Sequence, residues 1–174
     1  HTAIASRLTP TKFCYRLERS ACFDPETKAR EVHMHHAAAL VFAPLQEKHP
    51  DKVSANIDDV VKTGRAFSAF DYLRALKLRM DLRATLHDLL RDYDAIITPP
   101  ALGEAPEGLG ATGNPAFCIP WSLLGVPAIT LPVKFGPKGL PLGMQIVGGY
   151  RDDQNVLGVA NWCEPKLGFA GLSK

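Results

Sequence analysis

The C-terminal half contains the stretch that decides the fold, which reads PWSLLGVPAITLP over residues 120–132 and GLPLGMQIVG over residues 139–148. Short runs of apolar and β-branched residues closed by glycine or proline are typical of buried strands. We therefore predict strands over residues 128–133 and 142–147. The glycines and the proline of residues 136–139 predict a turn between them.

Outward from this stretch, apolar spacing and capping residues predict the other elements. From residue 65 to 92 apolar side chains recur three or four positions apart, which indicates one stripe of a long amphipathic helix that includes Phe70, Leu73 and Met80. The remaining expected elements are helices over residues 25–47, 60–64, 117–124 and 152–166 and a strand over residues 94–98. This order predicts an α/β fold in which helices cover a mixed β-sheet.

Composition excludes several classes of partner. The chain has 20 Lys and Arg against 18 Asp and Glu, a formal net charge of +2, so we expect no nucleic acid partner. No segment approaches the roughly 18 apolar residues of a membrane span, so we expect no membrane partner. Four cysteines without a CxxC pair favour thiols in a reducing, cytoplasmic compartment. They are Cys14, Cys22, Cys118 and Cys163.

Several motifs occur in one order and resemble the C-terminal half of amidase signature enzymes. Besides the two segments quoted above, they are HPDKVS over residues 49–54, GRAFSAFDY over 64–72, YDAIITPP over 93–100, Ala105-Pro106 and TGNPAF over 112–117. The resemblance implies that residues 31–174 form the C-terminal part of an amidase domain. Residues 1–30 match the family weakly.

The resemblance also implies a chemistry, the hydrolysis of amide C–N bonds by a serine nucleophile with a second serine and a lysine in a Gly/Ser-rich segment. The serines of this chain are Ser6, Ser20, Ser54, Ser68, Ser122 and Ser173. No two of them are adjacent, and Ser122 lacks the flanking glycines of a nucleophile elbow. We therefore assign no catalytic residue and expect the N-terminal catalytic segment of the family to be missing.

The expected role of the chain is that of a scaffold and a substrate-pocket wall, inactive alone. In the family, the segment that matches residues 112–121 lies along the acyl side of the substrate, which we expect to be a small-molecule amide. The candidate substrate-binding residues are Thr112, Pro115, Phe117, Ile119 and Trp121. For the last three, the alternative is a place in the hydrophobic core.

Other interpretations stay open. His33, His35 and His36 could share a helix face, but the pattern lacks the other ligands of a zinc site, so we expect surface histidines, no metal and no cofactor. Within the family, a tRNA-dependent amidotransferase component is the rival of a free-standing amidase. Outside it, the chain could be a truncated remnant without catalytic role, or a homo-oligomer that covers exposed apolar faces.

Overall fold

The computed structural model describes residues 3–5 and 28–169. Its helices are α1 (Lys28–Lys48), α2 (Ala55–Ala66), α3 (Ala69–Leu89), α4 (Ile119–Leu124) and α5 (Asp153–Leu167), and a 3₁₀ turn spans Pro50–Lys52. Its strands are β1 (Ala3–Ala5), β2 (Ala95–Thr98), β3 (Ala128–Phe135) and β4 (Pro141–Val147). The chain divides into two compact units, residues 24–82 and residues 83–174 together with 1–23.

The four described strands form one sheet in the order β1-β2-β4-β3, and all of its pairings are antiparallel. A mixed sheet was expected from the alternation of helix and strand. The difference arises because β4 returns through the turn after β3 and inserts between β2 and β3. The strands β2 and β3 run in the same direction and are linked through α4, so the α/β character is kept although no two parallel strands pair among the described ones.

The two faces of the sheet differ in character. On one face, α5 packs through Val156, Ala160 and Cys163 against a core that includes Leu131 and Ile146. Because successive strand residues point to opposite faces, the other face carries the alternate positions. On β4 these positions are Gly143, Gln145 and Val147, and this face therefore holds polar side chains as well as apolar ones.

The unit formed by residues 24–82 is held by a close approach of α1 and α2. Gly64 of α2 lies against the backbone carbonyl of His35, and a Cβ added to Gly64 would be 2.2 Å from that oxygen. The carbonyl of Gly64 accepts a hydrogen bond from His36 Nδ1 at 3.2 Å. A glycine is required here because any side chain would separate the two helices.

The sequence predicted one long helix from residue 65, and this prediction is wrong at its start. Phe67 is extended, with φ −73° and ψ 139°, so α2 ends at Ala66 and α3 starts at Ala69. The side chains of Ser68 and Asp71 cause the break: Ser68 Oγ accepts from Asp71 N at 3.1 Å, and Asp71 Oδ2 accepts from Ser68 N at 3.3 Å. This reciprocal pair is a capping box with aspartate in the usual place of glutamate.

The predicted helix over residues 60–64 is longer than expected, since α2 begins at Ala55 behind the N-cap Ser54. The helix predicted over residues 25–47 is found from Lys28, and its predicted start lies outside the described residues. The other predicted helices and strands occur within a few residues of their expected bounds.

The apolar stripe predicted for α3 is not the buried one. Phe70, Leu73 and Met80 are all more than 60% exposed. The buried positions of this helix are Ala75, Leu82 and Leu86. In residues 3–5 and 28–169, no helix combines the length and the hydropathy that crossing a membrane requires.

Candidate functional site

A cavity of about 890 Å³ lies on the face of the sheet opposite α5. The sheet contributes Thr130 and Pro132 from β3 and Pro141 and Gly143 from β4. The long Gly/Pro-rich loop that follows β2 forms the other wall, from Pro100 onward. The cavity therefore belongs to one compact unit, and its lining comes from segments that the sheet pairing brings together.

Few polar side chains line this cavity in the described part of the chain. They are Glu104, Thr112, Asn114, Thr130 and Lys138, and every other lining residue is Gly, Pro, Ala or Leu. A mostly apolar concave surface with a small number of polar groups is the usual form of a small-molecule site. One carboxylate and one ammonium give this wall no net charge, which favours a neutral ligand.

Glu104 holds the two walls together. Its Oε1 accepts hydrogen bonds from the backbone N–H groups of Lys138 at 3.0 Å and Leu140 at 2.9 Å, and its Oε2 lies 3.1 Å from Lys138 N. These groups belong to the turn between β3 and β4, 34 and 36 residues further along the chain. The carboxylate thus fixes the loop after β2 to the β3–β4 turn.

We expect Glu104→Ala to loosen this turn without unfolding the sheet. Charge-assisted hydrogen bonds are stronger than neutral ones, and the half-buried position of Glu104 reduces their effect, so exchange of the Lys138 and Leu140 amides should rise about tenfold. Hydrogen–deuterium exchange with mass spectrometry over residues 134–142 measures it. Glu107→Ala, an exposed change in the same loop, is the matched control; equal exchange in both variants would contradict the role of Glu104.

The predicted substrate-binding residues occupy different environments. Thr112 lines the cavity, whereas the other four do not. Pro115 accepts hydrogen bonds through its carbonyl from the N–H groups of Cys118 and Ile119, which begins the turn into α4. Phe117 and Ile119 are half-buried, and Trp121 is only 3% exposed. A substrate contact therefore stays a prediction for all five, and the geometry supports it best for Thr112.

Sequence reasoning missed Glu104, Thr130 and Lys138. Glu104 and Lys138 are charged residues in Gly/Pro-rich segments, and such segments were the available signal, because long loops in compact domains often carry function. The partner of each segment could not be read from spacing. Only the register of β3 with β4 places Thr130 beside the same cavity.

The sequence-level decision to assign no catalytic serine fits the surroundings of Ser122. It lies in α4, where its N–H donates to the Cys118 carbonyl at 3.1 Å and its own carbonyl accepts from Gly125 N. In the described part of the chain, no side chain hydrogen-bonds its hydroxyl. A serine needs an adjacent base to become a nucleophile, and the described surroundings of Ser122 provide none.

The three histidines on α1 make separate contacts within the helical unit. Arg79 Nη1 donates to His33 Nε2 at 3.1 Å, so that nitrogen must be the acceptor. The His36 ring stacks on Tyr72 at 4.7 Å between centroids, and His35 Nδ1 donates to the Glu31 carbonyl at 2.9 Å. Their nitrogens are thus directed at packing partners, and no group of three metal-ligating side chains occurs in residues 28–169.

The two described cysteines should differ in reactivity. Cys118 is exposed and its thiol donates to the Pro100 carbonyl at 3.3 Å. Cys163 is buried in the core, and burial raises the pKa of its thiol, with Lys166 opposing the shift. Because the thiolate is the reactive form, we expect iodoacetamide at pH 8 to modify Cys118 at least about ten times faster than Cys163.

Peptide mass spectrometry after timed quenching measures the two rates. In urea, where the burial of Cys163 is lost, the rates should converge. Faster native modification of Cys163 would show that the core around α5 is open.

Comparison with known proteins places the chain. The protein-family model described as Amidase matches residues 11–157. A glutamyl-tRNA(Gln) amidotransferase protein of Pelagibacter ubique, the A-type component of that enzyme, is 35% identical over 105 residues, which are 56% of this chain and 22% of that protein. The chain thus spans about a fifth of the length of the curated relatives that it matches.

Solved structures agree with this match. A crystal structure of an amidase is 30% identical with a TM-score of 0.74 and covers 86% of this chain and 37% of its own. A 6-aminohexanoate cyclic dimer hydrolase is 20% identical with a TM-score of 0.68, covering 85% of this chain and 36% of its own, and it shows the likeness of fold. Because the family model covers most of its residues, this chain belongs to the amidase family.

Proposed function

We propose that this chain supplies the scaffold and one wall of the substrate cavity in an enzyme that hydrolyses amide C–N bonds, and that it is inactive alone. The observation that carries the proposal is the neutral cavity on the sheet face opposite α5, in a chain of the amidase family. Its lining offers an apolar surface and a few polar groups. Within the described residues, it offers no serine, lysine or histidine arranged as nucleophile and base.

The reactive groups are therefore proposed to lie outside these residues. The family resemblance implies a serine, a second serine and a lysine, and a neutral lysine accepts the proton while backbone N–H groups hold the oxyanion. Among residues 3–5 and 28–169, Lys138 is the only lysine at the cavity wall and no serine lines it. The chain would thus position a substrate against a nucleophile that another segment carries.

The proposed substrate is a small neutral amide with its acyl part along the cavity wall. Thr112 is the best supported contact, because it lines the cavity. Pro115, Phe117, Ile119 and Trp121 could shape the site only through the backbone between the loop and α4. A cytoplasmic location is proposed on the chemistry of the cysteines, since Cys118 and Cys163 are free.

A second candidate function is that of one component of an amidotransferase. The observation in its favour is that curated relatives with 34–36% identity are A-type components of glutamyl-tRNA(Gln) amidotransferases. The near-neutral charge of the chain gives no electrostatic footprint for tRNA. A salt-dependent gel shift with tRNA would favour this candidate over a hydrolase.

The proposal predicts that the purified 174-residue chain hydrolyses no anilide or primary amide above the buffer rate. A fluorophosphonate probe should not label it, because the described surroundings of Ser122 hold no activating base. Turnover that disappears in Ser122→Ala would contradict this prediction.

A chimera tests the positive half of the proposal. Residues 93–169 replace the matching segment in the amidase that is 30% identical, and the product is checked for folding by circular dichroism. We expect C–N hydrolysis to persist with an altered substrate range. A folded chimera without hydrolysis of any amide would count against the proposed role.

A further inference from the structure

A buried polar pair lies on the cavity side of the sheet. Thr98 of β2 is 3% exposed and Gln145 of β4 is 6% exposed, and they are the two buried polar side chains in the described part of the chain. Thr98 Oγ1 donates to Gln145 Oε1 at 3.0 Å. Burying a carboxamide is costly unless its donors and its acceptor are all paired.

The pair leaves one end of the carboxamide unused. The Gln145 side chain has an acceptor oxygen and a nitrogen with two N–H donors. The oxygen is taken by Thr98, and no acceptor for Nε2 occurs within residues 3–5 and 28–169. A donor that is unpaired in a side chain this deeply buried indicates a ligand that brings an acceptor.

The position of Gln145 points to the cavity as the source of that ligand. Thr130 is the register partner of Gln145 on β3, and Gly143 lies two residues before it on the same face of β4. Pro100 follows Thr98 by two residues. All three of these neighbours line the cavity, so Gln145 lies at its inner end.

We propose that Gln145 Nε2 donates to the carbonyl oxygen of the substrate amide, and that Thr98 is the positioning residue that orients the Gln145 carboxamide. This inference rests on the proposed function of the cavity as an amide site. The ligand atom must be an acceptor, because Nε2 can only donate. A neutral carbonyl suits the cavity better than a carboxylate, since Glu104 and Lys138 leave no excess positive charge on the wall.

The test is a titration of the ¹⁵N-labelled full chain with benzamide and, in a separate series, benzoate. We expect the Gln145 side-chain NH₂ resonances to shift and saturate with benzamide and to stay in place with benzoate. Gln145→Met keeps the length of the side chain and removes the donor, so benzamide should bind about five to ten times more weakly. Gln154→Met, the same change at an exposed position on α5, should bind as the unaltered chain does.

Thr98→Val is the second variant, because it leaves Gln145 in place and removes only its anchor. We expect weaker benzamide binding and a smaller shift of the Gln145 resonances. Unmoved Gln145 resonances at saturation, or Gln145→Met with unchanged affinity, would overturn the proposal, and so would the absence of benzamide binding. Failure of the chimera with an intact benzamide titration would instead sink the proposed function and leave the role of Gln145 standing.

Discussion

Replacing Trp121 by alanine is expected to lower the free energy of unfolding by about 3–5 kcal/mol, the usual range for a buried tryptophan. Trp121 is 3% exposed and lies in α4 beside the buried Leu123 and Leu124. Truncation would leave a cavity that a six-residue helix cannot close by shifting, because Gly125 ends the helix with φ +62° and caps the carbonyls of Trp121 and Ser122. A urea titration followed by circular dichroism at 222 nm measures the change.

The chain provides a matched control in its other tryptophan. Trp162 is 47% exposed on α5, with the Lys166 ammonium 4.0 Å from the centroid of its ring. Trp162→Ala should therefore cost no more than about 1 kcal/mol. Equal stability losses in the two variants would contradict the core role of Trp121. A stable Trp121→Ala protein that bound benzamide more weakly would return Trp121 to the substrate pocket.

Gly64→Ala is expected to destabilise the helical unit by about 1–3 kcal/mol, the usual cost of overpacking. The added methyl group would lie 2.2 Å from the His35 carbonyl oxygen and 2.6 Å from the Ala39 Cβ. Neither atom belongs to a flexible side-chain end, so α1 and α2 would have to separate. The hydrogen bond from His36 Nδ1 to the Gly64 carbonyl would lengthen as they do.

The same substitution on α5 should have the opposite sign. A Cβ on Gly158 would meet nothing within 4 Å, and alanine in a helix restricts the unfolded chain, so Gly158→Ala should stabilise by about 0.4–1 kcal/mol. Urea midpoints of the two variants, measured under one set of conditions, check both signs. Destabilisation by Gly158→Ala, or a neutral Gly64→Ala, would show that the helix contact is described wrongly.

Much of the fold was predictable because its signals are local. Residues 94–98 were predicted as a strand from an apolar run closed by two prolines, and β2 spans Ala95–Thr98. The glycine at 168 predicted the end of α5, and it is in the left-handed conformation there, with φ +61°. The break between α2 and α3 was missed, although Ser68 and Asp71 are a local signal, because the apolar spacing continued across it.

The site was less predictable because its residues come from separate segments. Thr112 was proposed on family resemblance and lines the cavity. Glu104 was missed, since its partners are 34 and 36 residues away. Gln145 offered one signal, a carboxamide within an otherwise apolar strand, but its partner Thr98 is 47 residues distant.

The amino-acid sequence alone determined the family and the positions of most helices and strands, because capping, turn residues and apolar periodicity act within a few residues. Tertiary structure alone decided which apolar face of α3 is buried, with Ala75 and Leu82 inside and Phe70 and Met80 outside. It also decided that β4 lies between β2 and β3. Burial and strand register depend on contacts between distant segments, and no local pattern specifies which segments will meet.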